Sequence, residues 1–311
     1  MQHFLSGYDI IGDIHGHANE LKALLKQLGY AERDLVWRHP ERKVIFVGDY
    51  IDRGPAIRET LSIVKNMADA GTAHAIMGNH EYNALAFSYH SPRGGYIRPH
   101  TSKNIIQHYE TIKQFQHYSN EWDDYLSWFS NLPLFLEIDG IRAIHACWDD
   151  ENIRQLKTIT LPFTKELLIE AHDTNNPTYK VFEETLKGKE IRLPDGHFFI
   201  DKDGNKRNEV RTRWWLKTEG LTLRQYLFHA PASVMELPVP DGNDVEGYGE
   251  NEPAVFFGHY WLTPNDGIGW QASNVCCLDY SVAKGGNLVA YRHYFDQPFN
   301  NQNFVIVPSL I

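Results

Sequence analysis

Cysteine is nearly missing from this chain: three residues in 311, Cys147, Cys276 and Cys277. Three thiols in apolar surroundings exclude a disulfide framework and a cysteine-spaced zinc site, and read as small core residues. Long apolar runs are missing too. No stretch approaches the roughly 18 apolar residues needed to cross a bilayer. The opening "MQHFLSGYDIIGD" has no basic flank followed by an apolar segment of signal-peptide length. A soluble, cytoplasmic protein without membrane attachment is therefore expected. Basic runs are absent as well: 30 Lys and Arg stand against 40 Asp and Glu, a formal charge of −10. That balance excludes a general nucleic-acid binder, while leaving room for a few arginines to hold a phosphate. No repeat of fixed period and no low-complexity segment occurs.

What is present is apolar and aromatic residue in quantity, 42% and 13% of the chain, enough for a substantial core in a single domain over 1–311. "YDII" reads as a buried strand, and Leu21, Leu24, Leu25 and Leu28 behind it form an amphipathic stripe that Gly29 stops. A second strand runs to Val47, a helix with Leu61, Val64 and Ala68 on one face follows, and a third strand ends at Gly78. Strands alternating with helices predict βαβ units in a largely parallel sheet covered on both sides. Residues 88–131, aromatic and polar at helical spacing, read as an inserted helical lobe. Asp139-Gly140 signals a hairpin between two apolar runs. A second insertion over 150–230 carries helices such as "TKELLIEAH" and then the turn-rich "LPDGHFFIDKDGNKRNEVRTRWW". The final third reads as a second, mostly antiparallel sheet with glycine turns.

Three apolar runs end the same way. "DIIGDIHG", "KVIFVGDYIDRG" and "AHAIMGNHE" each close on Gly followed by a metal-ligand residue type. One such ending is ordinary turn chemistry; three need a shared cause. In parallel sheets, ligands bind beyond the carboxyl ends of the strands, so Asp13, His15, Asp49, Asn79, His145 and His259 are expected to converge. Two Asp, one Asn and three His supply oxygen and nitrogen without sulfur, a set suited to manganese, iron, zinc or nickel and large enough for two divalent ions, with Asp49 as the shared carboxylate. Such a pair would lower the pKa of a bridging water to give hydroxide and clamp phosphoryl oxygens. Two residues beside the ligands remain for acid catalysis: Asp52 would orient His80 and keep it protonated, and His80 would protonate the departing alkoxide. Arg53 would bind phosphate through its planar donors.

"GDIHG", "GDYIDRG" and "GNHE" in this order, with "IHACWD", "FFGHY" and "CLDYSVAKGGNLVAYR" later, resemble the calcineurin-like metallophosphoesterases, in particular their phosphoprotein phosphatase branch. The resemblance covers about 8–90, 133–150 and 254–294. It implies an α/β (α+β) fold of two packed mixed sheets flanked by helices, with helical insertions. It also implies Asp13, His15 and Asp49 on one metal, Asp49, Asn79, His145 and His259 on the other, manganese as the expected pair, His80 with Asp52 as the acid, and Arg53 on phosphate. "IMGNHE" lacks the arginine of the eukaryotic "LRGNHE". "GHYWLTP" and "RTRWW" look more like bacterial dinucleoside-tetraphosphatases, and that likeness would add Arg211 or Arg213 as a second phosphate clamp. Trp214 and Trp215 read either as the lining of a pocket for a base or an aromatic ring or, as is commoner for Trp, as structural packing. The expected activity is hydrolysis of phosphomonoesters of phosphorylated proteins or peptides. The alternatives are hydrolysis of a dinucleoside tetraphosphate such as diadenosine tetraphosphate, or of a nucleic-acid end phosphate, and a non-catalytic metal-binding scaffold. The remaining histidines, among them His108 and His172, read as surface or core residues without a role.

Overall fold

A computed structural model describes residues 5–200, 206–229, 231–240, 242 and 245–310; residues 201–205 of the turn-rich stretch lie outside them. The chain begins with β1 (Gly7–Ile11), α1 (Ala18–Gln27), a hairpin of β2 (Ala31–Arg33) and β3 (Val36–Arg38), β4 (Arg42–Phe46), α2 (Ile57–Asp69), β5 (Ala73–Ala75) and α3 (Asn79–Ser88). The first insertion holds α4 (Ser102–Phe115) and α5 (Ser119–Ser130), and the hairpin β6 (Phe135–Ile138) and β7 (Ile141–Ile144) follows. The second carries α6 (Asp150–Leu156), α7 (Lys165–Ala171), α8 (Pro177–Lys187), β8 (Glu190–Arg192), β9 (Phe199–Ile200), β10 (Lys206–Arg207), β11 (Glu209–Arg211) and α9 (Leu223–Tyr226). The chain then returns through β12 (Ala254–Phe257), β13 (Val275–Cys277), β14 (Asp279–Tyr280), β15 (Asn287–Tyr294) and β16 (Phe304–Pro308).

The elements form where their residues favour them. Leu21, Leu24, Leu25 and Leu28 are all buried on α1, and Gly29 ends the helix at φ 82°, a conformation that a side chain disfavours. Asp139 and Gly140 both take positive φ, the geometry of the tight turn that joins twisted strands, and β6 pairs antiparallel with β7 as the dipeptide predicts.

Two mixed sheets pack face to face. One has the order β14-β15-β1-β4-β5, with β16 on β15, and the other β13-β12-β7-β6. Alternation sorts the strand residues. Tyr8, Ile10, Ile45 and Val47 from the first sheet meet Ala143, Phe256 and Cys276 from the second in a core between them. Ile11, Val44 and Phe46 face the other way, into the cluster formed with Leu21, Leu24, Leu61 and Val64 of the helices. Each fully buried side chain of this size contributes about 1.5–3 kcal/mol. All three cysteines are free and buried.

Two sequence expectations need correction. The first sheet is parallel only through β1, β4 and β5, and the second sheet, not a second layer of helices, covers its other face. The final third does not form its own sheet: β12 and β13 run parallel in the second sheet beside β7, whereas β14 to β16 join the first sheet in antiparallel register. Short apolar strands look alike in sequence, and only their partners separate them. Among the described residues no helix is long and apolar enough to cross a membrane.

Candidate metal centre

Five strands deliver side chains to one edge of the sandwich. Asp13 and His15 follow β1, Asp49 follows β4, Asn79 opens α3 after β5, His145 follows β7 and His259 follows β12. All six are buried. The turns that aim them are tight: His15, Asp49, Asp52, Arg53 and His259 have φ between 46° and 73°. Non-glycine residues in this region cost of order 1–3 kcal/mol each and collect at functional sites. The glycines before Asp13, Asp49, Asn79 and His259 admit this crowding. A Cβ on Gly258 would stand 1.8 Å from Asp13 Oδ1, and one on Gly48 would stand 2.9 Å from His145 Nδ1.

Carbonyl oxygens fix two of the three imidazoles that follow a strand. His15 Nδ1 donates to Ile51 O at 2.9 Å and His145 Nδ1 to Val47 O at 2.8 Å, so both Nε2 atoms face the cluster. His145 Nε2 lies 3.0 Å from Asn79 Oδ1 and 3.4 Å from Asp49 Oδ1. His15 Nε2 lies 3.5 Å from Asp49 Oδ2. His259 Nδ1 lies 2.8 Å from Asn79 Oδ1, and the His259 backbone N–H donates to Asp13 Oδ2 at 3.0 Å. Ligand atoms of His15, Asp49 and His80 form one group within 4.8 Å of one another, and those of Asp49, His145 and His259 form another. Asp49 belongs to both.

The donor set fits a pair of cations. Asp13 Oδ1, His15 Nε2 and His259 Nε2 are buried without a hydrogen-bond partner, a penalty that a bound ion removes. The site also attracts positive charge. Burial raises Asp13, and Asp279 and Asp49 push it further. Burial works against ionised Asp49, yet the imidazoles of His145, His80 and His15 hold it well below the usual carboxylate range. Burial likewise opposes a charged His145, but Asp49 beside it raises it overall. His15 and His259 stay neutral, lowered first by burial and then by the charges of His80 and Arg211 respectively. Neutral imidazole is the form that ligates a metal.

Beside this cluster stands a carboxylate–imidazole pair. Asp52 Oδ2 lies 2.5 Å from His80 Nδ1, and His80 Nε2 points back to 3.8 Å from Asp49 Oδ2. Burial alone would raise Asp52, but His108 and His80 pull it far below the ordinary value. The Arg53 guanidinium lies 4.2 Å over the Trp261 ring, which stacks on His15.

The two distal arginines part company. Arg213 donates to the carbonyls of Arg224 and Gln225 and lies over Phe228. Arg211 keeps a loose pair with Glu190 at 3.7 Å, and its charge reaches His259. Trp214 donates to Ala146 O, and both tryptophans are buried against Phe257, so they are core residues and present no stacking surface.

Sequence reasoning missed four contributors. His108, read as a residue without a role, bonds Asp52 Oδ1 at 2.7 Å, with Thr111 on the same oxygen. Glu81 accepts backbone N–H groups from Gly78, Asp49 and Tyr50. Asp279 accepts from the Trp261 and Ser281 N–H groups. His108, Thr111 and Gln114 recur at i, i+3 and i+6 in α4, but Lys103, Glu110 and Lys113 share the helix with them, so the stripe does not stand out in the sequence.

The family model described as calcineurin-like phosphoesterase matches residues 8–230. The asymmetrical bis(5'-nucleosyl)-tetraphosphatase PrpE of Halalkalibacterium halodurans is 42% identical over 74 residues, 24% of this chain, and the chain spans only 30% of that relative's length. The symmetrical bis(5'-nucleosyl)-tetraphosphatase of a Marinomonas species is 29% identical over 317 residues, 94% of this chain and 95% of the relative. The cold-active protein-tyrosine phosphatase of a psychrophilic Shewanella species aligns over 99% of this chain and 82% of its own, at 18% identity and a TM-score of 0.45.

Proposed function

This chain belongs to the calcineurin-like phosphoesterase family, and from that premise we propose that it hydrolyses phosphomonoesters of alcohols, such as phosphorylated serine, threonine or tyrosine in proteins or peptides. Asp13, His15, Asp49, Asn79, His145 and His259 would hold two divalent ions, manganese first among them, with Asp49 shared. When bound, the ions supply Lewis acidity that activates water and neutralises phosphoryl oxygens.

The chain's own residues do the rest. Arg53, held over Trp261, donates to non-bridging phosphoryl oxygens and orients the phosphorus for in-line displacement. Asp52 accepts the His80 Nδ1–H and fixes the ring, so that Nε2 presents its proton to the leaving oxygen. As a water oxygen, its own proton lost to solvent, bonds to phosphorus in line, the opposite P–O bond breaks and its electron pair stays on the alcohol oxygen, which takes the Nε2 proton and departs as a neutral alcohol. His80 then recovers a proton from solvent.

The observation that carries the reading is the 2.5 Å contact between Asp52 and His80. An alkoxide is a poor leaving group and needs an acid; a nucleotide leaving from an anhydride is already a stable anion. A second reading, hydrolysis of a dinucleoside tetraphosphate, is favoured by the name of the full-length Marinomonas relative and by the position of Arg211, whose charge reaches His259.

Manganese-loaded protein assayed in parallel on p-nitrophenyl phosphate, a phosphoserine peptide and diadenosine tetraphosphate separates the two. Turnover of the first two that a chelator abolishes is expected. Turnover of the tetraphosphate alone would overturn the first reading in favour of the second.

A further inference from the structure

One helix of the first insertion grips the loop that carries Asp52 and Arg53. His108 Nδ1 donates to Asp52 Oδ1 at 2.7 Å, and the Thr111 hydroxyl donates to the same oxygen at 2.5 Å. Thr111 Oγ1 also accepts the Asp52 backbone N–H at 3.1 Å. One turn further on, Gln114 Oε1 accepts the Ile57 N–H at 2.7 Å and its Nε2 donates to Gly54 O at 3.1 Å. Five hydrogen bonds from one face of α4 thus hold 52–57. His108 and Thr111 are buried, and the rings of Phe87 and Trp122 pack against His108.

The loop needs such a grip. Asp52 and Arg53 sit side by side at φ 66° and 68°, a strained pair that persists only where surrounding contacts over-determine it. The carboxylate is the point of leverage. With Oδ1 fixed by two donors, the plane of the group is set, and Oδ2 must meet His80 Nδ1. Without them, Asp52 is free to turn about its last torsion and His80 loses its orientation.

We propose that His108 and Thr111 are positioning residues for the Asp52–His80 pair, so that proton delivery to the leaving group depends on the seat of the inserted helix. The proposal rests on the reading of His80 as the acid in phosphomonoester hydrolysis. On this account both act through Asp52, which each of them bonds at Oδ1. The inserted lobe is on this account part of the catalytic apparatus as well as a border of the site.

The test compares two leaving groups, because an acid matters most where the departing oxygen is basic. Manganese-loaded His108→Ala, His108→Asn, Thr111→Val and, as reference, His80→Ala are assayed on a phosphoserine peptide and on p-nitrophenyl phosphate, with bound metal counted. His108→Ala should lose about tenfold or more in kcat on the peptide and less than about threefold on the aryl ester, with metal content unchanged. His108→Asn places an amide donor near the position of Nδ1 and should recover most of the loss. Thr111→Val keeps the shape of the side chain and should show the same contrast in smaller measure, which reads out the proposal even where His108→Ala fails to fold. Equal losses on both substrates, or none, would overturn it. Where His80→Ala shows the contrast and neither His108→Ala nor Thr111→Val does, the positioning role alone is wrong. Where His80→Ala shows no contrast, the acid reading fails and takes the proposal with it.

Discussion

Glu81 accepts the backbone N–H of Asp49 at 2.9 Å across 32 residues of sequence. The same carboxylate takes the N–H groups of Gly78 at 3.0 Å, Tyr50 at 2.8 Å and Ile51 at 3.3 Å. The acid of "GNHE" is thus a brace for the strained Asp49 turn, and burial pushes its pKa up to about 7. Glu81→Ala strands four buried donors, each worth about 1–3 kcal/mol when unsatisfied. A stability loss of at least about 4 kcal/mol is expected in urea unfolding. Glu81→Gln keeps one acceptor oxygen and should lose clearly less.

A second brace ties the first sheet together. Asp9, fully buried, accepts from Arg42 Nε at 3.1 Å and from Arg292 Nε at 2.8 Å. Removing one member of a buried charged network typically costs about 3–5 kcal/mol. Asp9→Ala should lower the urea midpoint accordingly, because Arg42 remains buried among carbonyls without its carboxylate. The joint change of Asp9 and Arg42 to apolar residues should cost less than the Asp9 change alone.

His293 gives the fold a defined acid sensitivity. Burial, and then the charge of Arg42, push its pKa down to about 4 from the ordinary 6.5. Between those values the unfolded chain binds the proton and the folded one does not. The stabilising contribution is therefore fully present above about pH 6.5 and is lost as pH falls toward about 4. Residual solvent screening limits it to about 1 kcal/mol. His293→Phe keeps the ring contacts with Phe295 and Phe299, and its Tm should fall less steeply than that of the natural chain over this interval.

The strand-end device was the legible part of the site. Each of Asp13, Asp49, Asn79 and His259 follows a glycine that ends an apolar run, and the physical reason is visible in the crowding around Gly48 and Gly258. The Asp139-Gly140 hairpin and the leucine stripe of α1 were legible for the same reason: local geometry dictates the residue type. Strand partners were not. Nothing local distinguishes "AVFF", which runs parallel to β7, from "NLVAYRHY", which runs antiparallel to β1. The inner face of α4 was hidden in another way: His108, Thr111 and Gln114 sit in a polar, aromatic segment, where a stripe that grips a loop looks like a stripe that meets water. Trp214 and Trp215 show the converse, since a double tryptophan suits a ligand platform or a core equally well until its neighbours are known.

The claim on which the rest depends is that Asp49 is shared between two ions. Elemental analysis of active natural protein and of Asp49→Asn, alongside turnover of p-nitrophenyl phosphate, tests it most directly. The account predicts two divalent ions per active chain, and loss of at least one of them together with nearly all activity in Asp49→Asn. An active chain free of metal, or an Asp49→Asn protein that keeps both ions and its turnover, would contradict it.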